Sequence, residues 1–587
     1  MALVPAVKRW EVRPPIPPEV DADLSGIDSY FSRIVMDRPR VDPASFYPVI
    51  HQLLYNRGLE DPVEAGAFLE ARPPFDPDPF QLSGMETAVE RIQAAIDRSE
   101  RVAVYGDYDV DGLTAAALLV DCLTRLGADA TPYIPNRFDE GYGLNIDALE
   151  SLQQAGISLV ISVDCGIRSV EEAIFARDAG LDLIISDHHH PGVEIPPALV
   201  VINPRLDGDP YPDKNLTGVG IAYKIASALS LRYGDNRVNP AGYLDLVALG
   251  TVADVASLTG ENRALVKGGL RLLSRSGRLG LASLQGVSGL RGKNIQAQDI
   301  GFVLGPRLNA AGRLESAENA YRLLVSGDIH EAGTLAQLLD DSNKDRQKIT
   351  RETQEIVEGR LGDGRGYIIA DADEGYHAGI VGLVASRIMN KYHRPVLLAH
   401  RGDLTTTGSC RSIPEFHIAE ALDRCQDLLI RHGGHRAAAG FTVANERWDE
   451  LLVRLESIAA EELDGLDLQP VLMADLEISL GAGPPFLWAL LEAMDFLQPT
   501  GVDNPEPLFV SRDLTLVSAR PVGKDGSHLK LTVKDGRELY DAIAFRLGDR
   551  QLPAGTKVDL AYTLEANEYR GETSLQLNVK DIRTAGA

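Results

Sequence analysis

Apolar and polar positions change their rhythm several times along the chain, and each change predicts a different kind of structure. Residues 1–20 are proline-rich and predict an extended segment. Residues 21–98 carry a polar helical spacing, broken by Pro73-Pro-Phe-Asp-Pro-Asp-Pro79. Arg101-Val-Ala-Val-Tyr105 then reads as a short buried strand, followed by a loop and an apolar helix from Leu113 to Leu126. Further strand-like runs at Ser158–Val163, Leu181–Ser186 and Leu199–Asn203 have helical stretches between them. Strands alternating with helices predict a parallel sheet covered on both faces, with ligands held beyond the carboxyl ends of the strands. Residues 217–275 read as helices and 325–360 as one long polar helix. A second α/β unit follows, with strand Gly366–Ala370, helix Gly379–Lys391, strand Pro395–Ala399 and helix Ile418–Arg431. Beyond residue 465, alternating runs at Leu529–Val533, Ala542–Phe545, Lys557–Tyr562 and Ser574–Val579 predict a small antiparallel β-domain, for which an OB-like barrel is the first choice. The fold class is therefore α/β: two α/β domains joined by a long helix, plus a C-terminal OB-like barrel. The expected divisions are an accessory segment 1–98, a catalytic domain 99–324, a connector helix 325–360, a substrate-binding domain 361–464 and an OB-like domain 465–587.

Composition narrows the function classes. At 44% hydrophobic the chain buries cores readily, and global disorder is excluded. No apolar run reaches the roughly 20 residues of a membrane span. The opening twenty residues lack the apolar core of a signal peptide, so a cytoplasmic protein is expected. Cys122, Cys165, Cys410 and Cys425 form no CxxC pair, which argues against a zinc ribbon and fits a reducing compartment. The net charge of −27, from 58 basic and 85 acidic residues, counts against a simple electrostatic nucleic-acid binder, although a local basic groove can coexist with an acidic exterior. A site of clustered carboxylates needs a divalent cation before it accepts an anionic substrate.

Four segments carry that chemistry. Gly106-Asp107-Tyr-Asp109-Val-Asp111-Gly112 follows a strand and opens a helix, Val163-Asp164-Cys-Gly-Ile167 and Ser186-Asp187-His188-His189-His190-Pro191 each end a strand, and Gly250-Thr-Val-Ala-Asp254 ends a helix. In a parallel sheet the first three converge on one edge. Carboxylates at i and i+2, with imidazole nearby, suit two manganese or magnesium ions, and histidine favours manganese. Two ions about 3.5–4 Å apart activate water and stabilise both oxygens of a phosphoryl displacement. Taken singly, each segment has a plainer reading. DxDxDG resembles the start of a calcium loop, but the twelfth position, where such a loop needs glutamate, is Leu118. A strand-end aspartate is more often a cap, and a histidine run more often a surface cluster.

The order DxDxDG, VDCG, DHH, GTVAD resembles the DHH phosphoesterase superfamily, and further segments narrow the resemblance to its RecJ family of single-strand-specific 5′→3′ DNA exonucleases. These are Pro135-Asn-Arg137 with Glu140-Gly-Tyr-Gly143, Gly305-Pro-Arg-Leu-Asn-Ala-Ala-Gly-Arg-Leu314, Tyr376-His-Ala-Gly-Ile-Val-Gly382, Ser409-Cys-Arg-Ser412, Gly433-Gly-His435 and Pro499-Thr-Gly-Val-Asp-Asn-Pro-Glu-Pro507. The resemblance covers roughly residues 50–585. It identifies the two α/β domains as the DHH domain and the DHH-associated domain.

The resemblance implies metal ligation by Asp109, Asp111, Asp164, His188 and Asp254, with Asp164 bridging two ions, manganese or magnesium. Asp107 joins them as a further candidate ligand, because Tyr105 stands where some relatives carry histidine. It implies that His189 contacts the scissile phosphate and protonates the leaving oxygen while Asp187 orients the histidines. Arg307, Ser409 and Arg411 would take the 5′-terminal phosphate, and Asn309 and Arg137 would contact the strand; Arg313, in its Gly-rich segment, and His435, after two glycines, are further candidates for phosphate contact. For a single arginine such as Arg313 the plainer reading is an ordinary ion pair. Cys410 departs from the family's usual glycine. Tyr108, Phe138 and Tyr142 could stack on bases, or simply pack. The implied activity is 5′→3′ hydrolysis of single-stranded DNA to 5′-mononucleotides in repair and recombination, by a monomer working with a single-strand-binding protein and a helicase, away from membranes. Two other readings differ in class. An oligoribonucleotide or cyclic-dinucleotide phosphodiesterase of the superfamily would commonly be shorter and lack residues 465–587. A non-catalytic DNA-binding replication factor would have lost metal ligands, whereas every acidic position is filled here.

Overall fold

The computed structural model describes residues 6–72, 78–136, 140–141, 143–234, 237–275, 277–314, 316–361, 366–523, 526–569 and 571–586. Arg137, Phe138, Tyr142 and most of the Pro73–Pro79 stretch lie outside them. The chain forms two compact units. One comprises Glu11–Pro306, Tyr321–Gly333 and Met473–Ala587, and the other Met1–Trp10, Arg307–Ala320 and Thr334–Leu472. Among the described residues no helix is long and apolar enough to cross a membrane. All four cysteines are buried thiols without disulfide partners.

The first unit contains the expected parallel sheet, built from β1 (Arg101–Gly106), β2 (Asp129–Tyr133), β3 (Ile157–Val163), β4 (Asp182–Ser186) and β5 (Val200–Ile202) in the order β2-β1-β3-β4-β5. Val102, Ala103, Val104 and Tyr105 are all fully buried, as the continuous apolar run of a strand covered on both faces requires. The edge strand β2 escapes the sequence pattern because it carries Pro132 and alternates weakly. Helix α1 (Val110–Leu126) starts earlier than expected because the Asp109 side chain caps it, accepting from the Asp111 and Gly112 amides, and Gly127 ends it in a left-handed turn. Helices α2 (Gly218–Tyr233), α3 (Leu244–Ala253) and α4 (Gly260–Leu273) follow.

The C-terminal strands of this unit close into a ring. β11 (Phe509–Val522) pairs with β12 (His528–Asp535), β12 with β13 (Glu538–Ala544), β13 with β15 (Glu572–Thr584), β15 with β14 (Lys557–Tyr569), and β14 back onto β11. The sequence pattern misses β11, where Ser511-Arg512-Asp513 interrupts the alternation. There the register slips and Asp513 adopts a left-handed backbone (φ 55°). The N-terminal residues Leu24, Phe31, Phe46, Leu53 and Leu69 share one apolar core with the barrel residues Phe509, Leu531, Val558 and Leu577. The segment expected to be extended over 1–20 instead turns helical at Pro18 (Pro18–Leu24), where proline fits the first turn.

The other unit is an α/β sheet with antiparallel strands on one side. Its strands are β6 (Ile369–Asp373), β7 (Val396–Arg401), β8 (Thr405–Arg411), β9 (Leu429–His435) and β10 (Ala438–Ala444), in the order β9-β10-β8-β7-β6, with β6 and β7 parallel and the other pairs antiparallel. Strand β6 begins three residues later than expected because the Tyr367 and Ile368 amides donate to the Glu456 carboxylate rather than to a neighbouring strand. The helix expected over Ile418–Arg431 stops at Asp423, and Leu429 onwards is strand. Helical spacing continues through Leu428 and Leu429, but Gly434-His435 closes against Ala438-Ala439 as a hairpin. A β-carbon at Gly434 would lie 2.5 Å from the Ala439 α-carbon. The long helix α5 spans Ile329–Arg360, and α6 spans Val381–Tyr392.

Candidate metal centre

Three of the four acidic segments begin where paired strands stop. Gly106, Val163 and Ser186 are register partners at the ends of β1, β3 and β4. The ladder runs one step further: the Asp164 amide donates to the Ser186 carbonyl (3.0 Å) and the Asp187 amide to the Ile202 carbonyl (3.1 Å). Asp107, Asp164 and Asp187 are thereby set side by side on one sheet edge. Asp164 holds a left-handed backbone (φ 65°), which aspartate tolerates better than most residues. Gly218 leaves it room, since a β-carbon there would lie 2.5 Å from that of Asp164.

Asp111, in the first turn of α1, is fully buried. Its carboxylate accepts from the Gly218 amide (2.7 Å) and the Val219 amide (2.9 Å) at the amino end of α2. This grip was not legible from the acidic motifs; Thr217 capping a helix that opens Gly-Val-Gly is the signal that could have found it. Asp254 caps the carboxyl end of α3. A β-carbon at Gly250 in the preceding turn would come within 2.8 Å of Asp111 Oδ1. His188 Nε2 lies 3.1 Å from Asp164 Oδ1 and 3.8 Å from both Asp111 Oδ2 and Asp254 Oδ2.

Ligand atoms within 4.8 Å of one another fall into overlapping groups: Asp107, Asp109 and Asp164; Asp111, His188 and Asp254; and Asp164, His188 and His189. Asp164 belongs to two of them, and Asp107 takes its place with Asp109. The donor set fits a pair of divalent cations. His188 Nε2 and Asp164 Oδ1 are buried and neither makes a hydrogen bond of acceptable geometry, which is costly unless a cation takes them up. Burial, then the charge of Asp109, pushes Asp111 up to about 7 against the pull of the Val219 and Gly218 amides. Burial and the charges of Asp111 and Asp109 push Asp254 up to about 8, and burial with the surrounding aspartates lifts Asp164 well above the carboxylate range. Burial, then the neighbouring His189, lowers His188 to about 3, leaving it as the neutral imidazole that ligates metals.

Asp187 is differently engaged. Its Oδ1 accepts from the His188 amide (2.7 Å) and the His189 amide (3.1 Å) and lies 2.8 Å from His189 Nδ1, while Oδ2 accepts from the Ile167 amide (2.9 Å). Burial pushes Asp187 up, but the hydrogen bond and charge of His189 outweigh it and hold it below the usual range. Burial pulls His189 down, and the bond to Asp187 outweighs that, raising it above the ordinary imidazole value. Tyr105 turns away from the acidic cluster: its hydroxyl donates to the Gly143 carbonyl (3.0 Å), accepts from Asn145 (3.1 Å), and its ring stacks on Tyr133. Glu140 ties down the same loop, accepting from Tyr133, Asn145 and the Asn136 amide. Tyr108 is half-buried.

The remaining candidates belong to the other compact unit. Arg411 Nη1 donates to Ser409 Oγ and to the Cys410 carbonyl (both 2.7 Å), and Nε to Ser386 Oγ (3.1 Å). A β-carbon at Gly382 would lie 3.0 Å from both Arg411 Nη2 and Ser409 Oγ, so this glycine makes room for the guanidinium. Cys410 is fully buried and leaves the Ser409–Arg411 pair intact. Arg307 is ion-paired with Asp340 (2.9 Å), and Arg313 donates to the Gly379 carbonyl (3.4 Å). Asn309 is half-buried and His435 exposed. Ser386 was not singled out from sequence, and Gly382 only as the end of the Tyr376–Gly382 segment.

Three family models match the chain: the DHH family N-terminal domain over residues 101–251, the DHHA1 domain over 364–461 and the RecJ OB domain over 484–581. Single-stranded-DNA-specific exonuclease RecJ of Bacillus subtilis (strain 168) is 38% identical over 91% of this chain and 68% of its own length. The protein of that name from Escherichia coli (strain K12) is 37% identical over 92% of this chain and 96% of its own. Among solved structures, RecJ from Thermus thermophilus in complex with Mn2+ superposes with a TM-score of 0.83 at 32% identity, covering 99% of this chain and 80% of that one. Its complex with Mg2+ gives 0.77 at 31% identity, covering 99% and 79%.

Proposed function

The chain belongs to the RecJ family, and from that premise we propose that it degrades single-stranded DNA from the 5′ end, releasing 5′-mononucleotides in repair and recombination. The observation that carries this reading is the convergence of Asp107, Asp109, Asp111, Asp164, His188 and Asp254 into overlapping ligand groups at one sheet edge. They would hold two ions, and the metals bound by the solved relatives, manganese and magnesium, are the ones this donor set suits. Such a pair supplies a polarised water and charge neutralisation at the phosphate.

The side chains around it divide the remaining work. With Nδ1 engaged by Asp187, His189 presents Nε2 to the substrate and, kept protonated by that partner, gives its proton to the leaving 3′ oxygen. Arg411 and Ser409 bind the terminal phosphate. Arg307 joins them by exchanging Asp340 for it, Arg313 and His435 offer further phosphate contacts, and Arg137 and Asn309 contact the strand, with bases stacking on Tyr108, Phe138 and Tyr142. The domain divisions expected from sequence, a monomeric state, a cytoplasmic location and association with a single-strand-binding protein and a helicase belong to the same reading.

Strands labelled at either end, incubated with the protein and manganese, test it. Mononucleotides should leave the 5′-labelled end first, and release from the 3′ end would overturn the polarity. Arg411→Ala should impair degradation of 5′-phosphorylated strands about tenfold or more relative to 5′-hydroxyl strands, since a charge-assisted bond is worth roughly 1.5–3 kcal/mol. Equal loss on the two substrates would remove Arg411 from the end pocket.

A further inference from the structure

Asp254 is followed by a strained residue. Val255 closes the end of α3 with a left-handed backbone (φ 62°), its amide donating to the Val252 carbonyl (3.2 Å) and the Ala256 amide to the Thr251 carbonyl (3.3 Å). This position normally takes glycine. A β-branched side chain makes it an outlier, and Val255 is 69% exposed, so its own packing does not hold it there. Such a conformation persists only where the surroundings enforce it.

The enforcement comes from the chain just before the barrel. Ser257 forms a parallel bridge with Val502, and the Leu258 amide donates to the Val502 carbonyl (2.9 Å). Gly501 lets the two segments meet, since a β-carbon there would lie 2.6 Å from Leu258 Cδ1. Arg263, on α4 immediately beyond, is only 2% exposed. Its guanidinium donates to the carbonyls of Phe68 (3.2 Å), Leu497 (2.8 Å), Pro499 (3.1 Å) and Phe496 (2.9 Å), and lies 3.8 Å over the Phe68 ring. Asn504, fully buried, donates to the same Leu497 and Pro499 carbonyls and accepts from Arg57 Nε. A five-donor fork fits a set of convergent carbonyls in a way that a lysine could not.

We propose that residues 496–504 form a brace for the loop after Asp254, that Arg263 is its positioning residue, and that the brace sets the geometry of the Asp111–His188–Asp254 ligand group. The inference rests on the metal reading above and goes beyond it. It makes the approach to the barrel part of the metal centre's support rather than only a tether for a nucleic-acid-binding domain.

The test is manganese binding to the metal-free full-length protein, read from loss of the free-ion electron paramagnetic resonance signal and so independent of turnover. Arg263→Met keeps the length and the apolar contact with Phe68, and Gly501→Val pushes on Leu258. Each folded variant, checked by circular dichroism and melting, should bind one of two ions about 10-fold more weakly, the size typical of losing a group that orients a ligand. The other ion should keep its affinity. Adding Val255→Gly to Arg263→Met should restore the weakened ion, because glycine adopts the left-handed backbone without the brace. Both ions at wild-type affinity in a folded variant would overturn the brace, and Gly501→Val decides the matter should Arg263→Met fail to fold. Failure of the wild-type protein to bind two ions would instead overturn the metal reading beneath it.

Discussion

Asp164→Asn should abolish digestion of single-stranded DNA, with a loss on the order of 10³-fold or more. An ion pair supplies several kcal/mol of charge stabilisation to the displacement, and each 1.4 kcal/mol is tenfold in rate. Asp164 is the most exposed to this argument because it belongs both to the group with Asp107 and Asp109 and to the group with His188 and His189. Asparagine is the informative replacement. It tolerates the left-handed backbone at φ 65° and matches aspartate in shape, so only the charge is removed. Asp164→Ala should be as inactive but less stable. Asp109→Ala should also be inactive, yet it strips the cap of α1 at a cost of about 1 kcal/mol and mixes two effects. Single-turnover digestion with manganese, beside thermal melts of the metal-free proteins, separates them. Undiminished digestion by folded Asp164→Asn would reject the metal assignment.

The metal centre was more legible in sequence than the folds that surround it, and the reason is physical. Gly106, Val163 and Ser186 end three neighbouring parallel strands in register, so strand pattern plus motif position was enough to bring Asp107, Asp164 and His188 together. Asp254 arrives from a helix, and only its resemblance to a known motif tied it to the others. Asp107 was the doubtful ligand on account of Tyr105; the geometry groups it with Asp109 and Asp164 and gives Tyr105 a separate occupation on the Gly143 carbonyl. What stayed hidden depends on tertiary contact. The amides of α2 that grip Asp111, the room Gly382 leaves for Arg411 and the carbonyl set around Arg263 leave no local periodicity. The strand at Leu429–His435 failed for a related reason: its apolar spacing continues a helical pattern, and only the hairpin partner Ala438–Ala444 decides otherwise.

The protein stripped of metal should lose stability as pH rises from about 6.5 to about 8.5, and manganese should reverse that trend. Burial, then the charge of Asp109, raises Asp111 to about 7, and burial with the charges of Asp111 and Asp109 raises Asp254 to about 8, against 3.8 for an ordinary aspartate. A carboxyl raised on folding keeps its proton in the native state where the unfolded chain has released it. Its contribution is therefore full below pH 3.8 and is lost as pH climbs through the native value. His189, also raised, changes in the same direction. His188 works oppositely, because its lowered value adds stability as pH rises, but that gain is complete once pH passes the ordinary histidine value of 6.5. Within this cluster only the raised aspartates and His189 then still change stability with pH. Manganese needs the carboxylates ionised, so it competes with the same protons and binds more tightly as they leave. Its stabilisation grows with the logarithm of its affinity. The melting temperature in chelator should fall across this interval while the shift produced by excess manganese widens, and Asp254→Asn should flatten both. A chelated protein that melts higher at the alkaline end, or a manganese shift that ignores pH, would mean that these carboxylates are not the groups that meet the ion.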